Sequence, residues 1–308
     1  MTQLVMVDDY IDNDVAYLLG LIFVRGRFHE VSDVRRLIID FPYRILKASP
    51  LPTSKKEIDV ETQLRLCLDD VRSRINELLE VNVDISRKRH NVTLQAIFTK
   101  NTMSWRNLRL LCGNRRDYRT FIIPDFFHDL PDDILREFIR GIADASASPR
   151  NADRDRAGKQ RIVLQIQHDN WMLPVQLCQM LQRKLKIPVD HILWGHPNMR
   201  APKGGSNWSK EHRIRLYADN FAKVGFNFSF KQQILEDMVE FNNKLGSASN
   251  DKFCNPMTKK NIRIKNNHLD EKSTKLPNKV RNKHFDSYFQ ICRAIGCKQG
   301  DVAIKKIK

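Results

Sequence analysis

Two apolar helical stretches, each with a glycine at its centre, constrain this chain more than any other feature. Asp14–Gly26 reads DVAYLLGLIFVRG and Ile134–Ala147 reads ILREFIRGIADASA. The second runs apolar at Ile134, Leu135, Phe138, Ile139 and Ile142, close to helical spacing. Pro131-Asp132-Asp133 ahead of it makes a good helix start, with acids in the first turn. Inside a helix Gly141 costs about 1 kcal/mol against alanine, and a glycine kept at that cost lets another backbone come close. Gly20 holds the equivalent place in the first stretch, among Leu18, Leu19, Leu21 and Ile22. Two such helices packed glycine to glycine would join two similar halves.

The segments after each helix follow one order. After the first come strand candidates at 27–31 and Arg36–Phe41, then a long amphipathic helix over Asp59–Glu80. A hairpin of Val83–Arg89 and Asn91–Phe98 follows, then a short helix, Trp105–Cys112, ending at Gly113. After the second, Arg161–Gln167 matches the pattern of Arg36–Pro42. A helix over Asn170–Lys186, a hairpin of His191–Trp194 with His212–Ala218, and helices at Asn220–Val224 and Lys231–Leu245 complete it. The order recurs after roughly 120 residues, longer than solenoid repeats. The expectation is an α+β fold of two pseudo-symmetric αββαββα halves with saddle-shaped antiparallel sheets. The halves fall at 1–113 and 131–246, joined by a linker at 114–130 and followed by a basic extension at 247–308. A monomer with an internal pseudo-dimer follows.

With these residues in view, the chain resembles the LAGLIDADG homing endonucleases. Leu18-Leu19-Gly20-Leu21-Ile22-Phe23-Val24-Arg25-Gly26 lies along the nine-letter motif, and so does Ile139-Arg140-Gly141-Ile142-Ala143-Asp144-Ala145-Ser146-Ala147. The resemblance covers about residues 10–246 and implies the two-half fold of the single-chain members. In that family the eighth letter is an acid at the foot of each helix, and the two acids bind the metal ions that cut DNA. Here the eighth letters are Arg25 and Ser146. The resemblance therefore supports the fold and argues against the chemistry.

Metal-assisted strand cutting needs hard oxygen ligands to hold Mg²⁺ and position water. Arg25 would repel a cation, and Ser146 is a neutral substitute. Asp144, two residues earlier, points about 200° round the helix from position 146. It reads as a helix-end or interface acid, with a displaced catalytic acid as the alternative. No cofactor is expected, and Mg²⁺ enters only if the chain is an active nuclease.

The 308 residues carry a formal net charge of +17, which points to a polyanion, most often nucleic acid. With apolar residues turned to the helices, the other sheet faces show Arg36, Asp40, Ser86, Lys88, Thr93 and Gln95 in the first half. In the second they show Arg161, Gln165, Gln167, Arg213, Arg215 and Tyr217. Arginine, glutamine and lysine are side chains that read base edges in the major groove. Arg150, Arg154, Lys159, Arg200 and Lys203, in the loops at 148–160 and 195–211, suit phosphate contacts that position without specifying sequence. The expected function is recognition of double-stranded DNA without cleavage. The rivals are an endonuclease with displaced ligands and an RNA-binding maturase-like protein.

No run of about 18 apolar residues exists, so no membrane partner is expected. The N-terminus lacks a basic-then-apolar signal pattern, which reads as cytoplasmic. Residues 250–308 hold 15 Lys and Arg against 5 Asp and Glu, so the extension is expected to add electrostatic binding. Within it Cys292 and Cys297 are spaced C-x₄-C, with Cys254, His268 and His284 upstream. Zinc is one reading and core thiols are the other.

Overall fold

Asn13–Arg25 forms the first helix, α1, capped by the Asp12 carboxylate, which accepts from the Val15 amide at 2.8 Å. Every residue from Ala16 to Arg25 is buried, as befits a helix that is apolar all round. The computed structural model describes residues 11–50, 59–100, 102–151, 153–155, 157–167, 170, 172–196 and 211–245. The extension at 247–308, with its proposed cysteine and histidine ligands, lies outside the described residues, as do Arg200 and Lys203.

From α1 the chain enters β1 (Gly26–Val31), turns through Ser32 at φ 49° and returns as β2 (Val34–Pro42). A single helical turn, α2 (Tyr43–Leu46), follows. Then comes α3 (Val60–Leu79), capped by Asp59 and burying Cys67, Leu68, Val71, Ile75 and Leu79 on one face. The hairpin β3 (Val83–Arg87) and β4 (Asn91–Phe98) and the helix α4 (Met103–Leu111) complete the first half. Its antiparallel sheet has the order β1-β2-β4-β3. Leu37, Ile39 and Phe41 of β2 are buried with Val92, Leu94, Ala96 and Phe98 of β4, the alternation expected of a one-sided sheet.

The connection at 114–130 is part of the core. Phe121, Ile123 and Phe127 are buried, and Gln176 both donates to the Ile123 carbonyl and accepts from its amide, each at 2.8 Å. It leads into α5 (Asp132–Ser146). The second half continues with β5 (Arg161–Gln167), α6 (Met172–Gln179, running into a π turn at Met180–Lys184), β6 (His191–His196) and β7 (Glu211–Tyr217). It closes with α7 (Ala218–Phe221) and α8 (Ser229–Lys244). Among the described residues its sheet has three strands, β5-β7-β6, where the repeat predicts four. The segment between α5 and β5 carries Pro149 and a run of charges without alternating apolar residues. Among the described residues it makes isolated bridges, Ala147 to Leu164, Arg154 to Gln160 and, to the first half, Arg150 to Ser49.

The two halves meet where α1 crosses α5. A Cβ on Gly20 would overlap the Phe138 carbonyl oxygen and lie 2.9 Å from the Ile142 nitrogen and 3.0 Å from Gly141 Cα. A Cβ on Gly141 would overlap the Tyr17 carbonyl oxygen and lie 3.2 Å from Gly20 Cα. The relation is reciprocal, each glycine meeting the other helix one turn before its glycine. Phe23, stacked on Phe121 at 5.3 Å and edge-on to Phe138 at 5.5 Å, continues the seam. Among the described residues no helix is long and apolar enough to cross a membrane.

Candidate nucleic-acid interface

Arg25 is the last residue of α1 and is 5% exposed. Its Nε donates to the Ala145 carbonyl at 3.2 Å and Nη2 to the Gln165 carbonyl at 3.4 Å. One guanidinium thus ties the foot of α1 to the foot of α5 and to β5. Burial lowers its pKa and the Glu211 carboxylate opposes the shift, leaving it a cation at any ordinary pH. Glu211, 2% exposed, is paired with Arg44 and lies 3.8 Å from Arg213 Nη2. It is the buried acid that balances Arg25 and its basic neighbours, although in sequence it reads only as the end of a loop. Ser146 is fully buried, and its Oγ has no hydrogen-bond partner among the described residues. Nor do any three His, Cys, Asp or Glu side chains gather as a metal site among those residues. A cation and a lone hydroxyl at the two motif feet do not fit Mg²⁺, which takes carboxylate oxygens.

Asp144 turns to the other side of α5, fully buried. Its carboxylate accepts from Tyr17 OH at 2.9 Å and from the Asn227 and Phe228 amides at 3.2 and 3.3 Å, just ahead of α8. Lys231, also fully buried, donates from Nζ to the Asp144 and Ala147 carbonyls at 2.7 and 2.6 Å. These are the open carbonyls at the end of α5. Burial pushes the Asp144 carboxyl up and the Lys231 ammonium down, while each partner opposes the other's shift. The network joins α1, α5 and α8 and contains no second carboxylate beside Asp144.

On the open face of the first sheet, β2 presents Arg36, Ile38 and Asp40 opposite Ile97, Gln95 and Thr93 of β4. Ser86 lies opposite Thr93 and is exposed, and Gln95 is half-buried. Lys88 falls in the turn beyond β3, with its amide donating to the Asn91 carbonyl. Asp40 is an organiser: it pairs with Arg27 at 3.1 Å and accepts from Asn91 and from the Thr93 hydroxyl at 2.7 Å. Thr93 is thereby committed, and the face's other polar groups include Arg36, Ser86 and Gln95, with His29 opposite Arg36 and the exposed acid Asp84 opposite Gln95.

The second sheet brings its six named residues onto one face. Arg161 lies opposite Tyr217, Gln165 opposite Arg213 and Gln167 opposite Glu211, with Arg215 between. Two of them are held from above by neighbouring acids. Arg161 donates to Asp190 at 2.8 Å and to the Arg154 carbonyl at 2.7 Å, and Tyr217 donates to Asp155 at 3.0 Å. Burial raises the Asp153 pKa against the field of Arg213, Arg215, Arg150 and Arg161. For Asp190 burial also pushes upward, but its bonds to His191 and Arg161 prevail and hold the carboxyl low. Arg213 and Arg215 remain half-buried with Nε unpartnered among the described residues. Burial and the neighbouring Arg161 lower the Arg215 pKa. Segment 148–160, whose Arg150, Arg154 and Lys159 the sequence offers to phosphates, thus also brings acids to this face: Asp155 accepts from Tyr217, and Asp153 lies in the field of the sheet arginines.

A pair of glycine-packed helices, each leading to an antiparallel sheet, is a LAGLIDADG-like α+β arrangement. No family model and no curated protein matches the chain. Among solved structures it is similar to full-length DUF199/WhiA from Thermatoga maritima, at 9% identity and a TM-score of 0.39 over 80% of this chain. The chain spans 66% of that protein, just under two thirds. It is also similar to I-DmoI in complex with DNA and Mn, at 14% identity and a TM-score of 0.33, covering 77% of this chain and 97% of that one. A third is the homing endonuclease I-WcaI bound to its DNA recognition sequence, at 9% identity and a TM-score of 0.35, covering 77% and 88%.

Proposed function

We propose that this protein binds double-stranded DNA through the open faces of its two sheets and does not cut it at the feet of the motif helices. The observation that carries the binding half is the second sheet. Arg213 and Arg215, both half-buried, stand two residues apart on one face, beside the half-buried Gln167 and the buried Gln165 of the paired strand. That is the side-chain set that reads guanine and adenine edges, and a strand pair fits a major groove. The charge of +17 supplies the general attraction to phosphates. Arg25 carries the non-cleaving half, because a guanidinium bonded to two carbonyls fills the place where a metal ligand is needed.

Arg213→Ala or Arg215→Ala is expected to relax preference at particular base pairs, by about 1–3 kcal/mol for each bidentate arginine–base pair removed. Binding to a panel of single-base site variants measures this. Equal weakening on specific and random duplexes would move these arginines to phosphates.

Incubation with Mg²⁺ or Mn²⁺ is expected to leave a bound duplex uncut. Metal-dependent cleavage that disappears in a folded Asp144→Asn variant would restore the displaced-acid reading and end this one.

A further inference from the structure

The open face of the first sheet also carries an apolar patch, and the strand register sets its layout. Val31 lies opposite Val34, Arg36 lies between His29 and Ile97, and Ile38 lies between Arg27 and Gln95. Phe28, Leu37 and Ala96, on the helix side, are buried, so alternation turns Val31, Val34, Ile38 and Ile97 outward. Val31, Val34 and Ile97 are 54%, 39% and 43% exposed, and Ile38 is half-buried. Ile38 and Ile97 are diagonal neighbours on β2 and β4, the two inner strands of the sheet. Single exposed aliphatic side chains are ordinary on a protein surface, whereas a group of them on one side of one sheet marks a contact surface.

The neighbours of the patch indicate what covers it. Arg36 stands among these side chains, makes no ion pair among the described residues, and has its Nε buried there without a hydrogen-bond partner. An occupant must therefore offer a hydrogen-bond acceptor and a small apolar group side by side. Phosphate and sugar offer the first and not the second. The major-groove edge of a base pair offers both, because thymine places its C5-methyl next to the acceptors of its own and neighbouring bases. We infer that this patch reads thymine: thymine methyls in the major groove rest on Ile38, Ile97 and Val34 while Arg36 bonds a base edge beside them. The inference rests on the proposed binding of duplex DNA and names the bases that the first sheet prefers.

The probe is the duplex that the full chain selects from a random library, remade with each thymine in turn replaced by deoxyuridine. The exchange removes one methyl and keeps every hydrogen-bonding atom of the groove. Binding is compared at one fixed salt concentration. At two or more neighbouring thymines the exchange should weaken binding about fourfold, the loss expected for one buried methyl-sized group. Ile97→Ser, at an exposed position, should bind the thymine and uracil duplexes alike at one of these sites, and the Ile38→Ser, Ile97→Ser double variant at more than one. Each ratio is measured on a single protein preparation, so any loss of folded protein cancels. A duplex consensus without a uracil-sensitive thymine, or a sensitivity that both variants keep, overturns the inference and leaves the binding proposal standing. Absence of any duplex consensus overturns both. Self-association of the free chain that Ile97→Ser abolishes assigns the patch to a second copy and overturns the inference as well.

Discussion

Gly141→Ala is expected to destabilise the protein by about 3 kcal/mol or more, as small-to-large changes in a packed core do at their upper range. At this chain length that corresponds to a fall of roughly 5 °C or more in Tm. The gain in helix propensity, about 1 kcal/mol, works the other way and is smaller. The new methyl overlaps the Tyr17 carbonyl oxygen, a backbone atom inside a buried helix that has no rotamer to change. Relief requires moving α1 away from α5, which opens the Phe23, Phe121 and Phe138 packing along the same seam. Gly20→Ala meets the Phe138 carbonyl and should behave alike. Gly113→Ala is the control. That glycine adopts φ +62° with nothing within 4 Å of a Cβ, so its change should cost only the left-handed strain of about 1–2 kcal/mol. Thermal melts of the three variants measure the difference. A Gly141→Ala protein as stable as the parent would mean that the helices do not meet at their glycines.

The second large effect concerns Lys231. Lys231→Met keeps most of the stem but leaves the Asp144 carboxylate without its cation and two helix-end carbonyls without a donor. Removing one member of a buried charged pair costs about 3–5 kcal/mol. Asp144→Asn keeps the shape and loses the charge, stranding the ammonium instead. The double variant should lose less than the two singles summed, because the members share one network. Urea denaturation of the four proteins gives the coupling directly. Single variants that each lose less than about 1 kcal/mol would place the pair in a more solvated setting than its burial indicates.

These two features differ in how far they could be read from the chain. The glycine pair was legible because a mid-helix glycine is unfavourable on its own and needs a close neighbour to account for it. The orientation of Asp144 followed from helical geometry, since two residues of helix turn it away from position 146. Its partners did not, because Tyr17 and Lys231 are far away in sequence and no local pattern pairs them. Alternation showed which strand residues face the helices, and β2 of the first sheet follows it in burial, whereas β5 of the second is buried on both faces. It says nothing about what lies on the other face, and there Asp190 holds Arg161, Asp153 lies in the field of the second sheet's arginines, Asp155 takes Tyr217 and Asp40 draws in Thr93. Arg25 was visible as a break in the motif, while its bonds to Ala145 and Gln165 run to backbone carbonyls and leave no mark in composition. Among the described residues the second sheet lacks a fourth strand, which the assumption of a full repeat obscured. The charge run at 148–160, with no apolar alternation, was the signal against it.

Reading of duplex DNA by the two sheet faces, as proposed, has a direct readout. Selection from a random duplex library, with structured RNA present as competitor, tests it most directly when the parent and the Arg213→Ala, Arg215→Ala double variant are run side by side. A duplex consensus for the parent that loses information at defined positions in the variant is the expected result. Preference for the RNA competitor, or a consensus that the variant leaves unchanged, would contradict it.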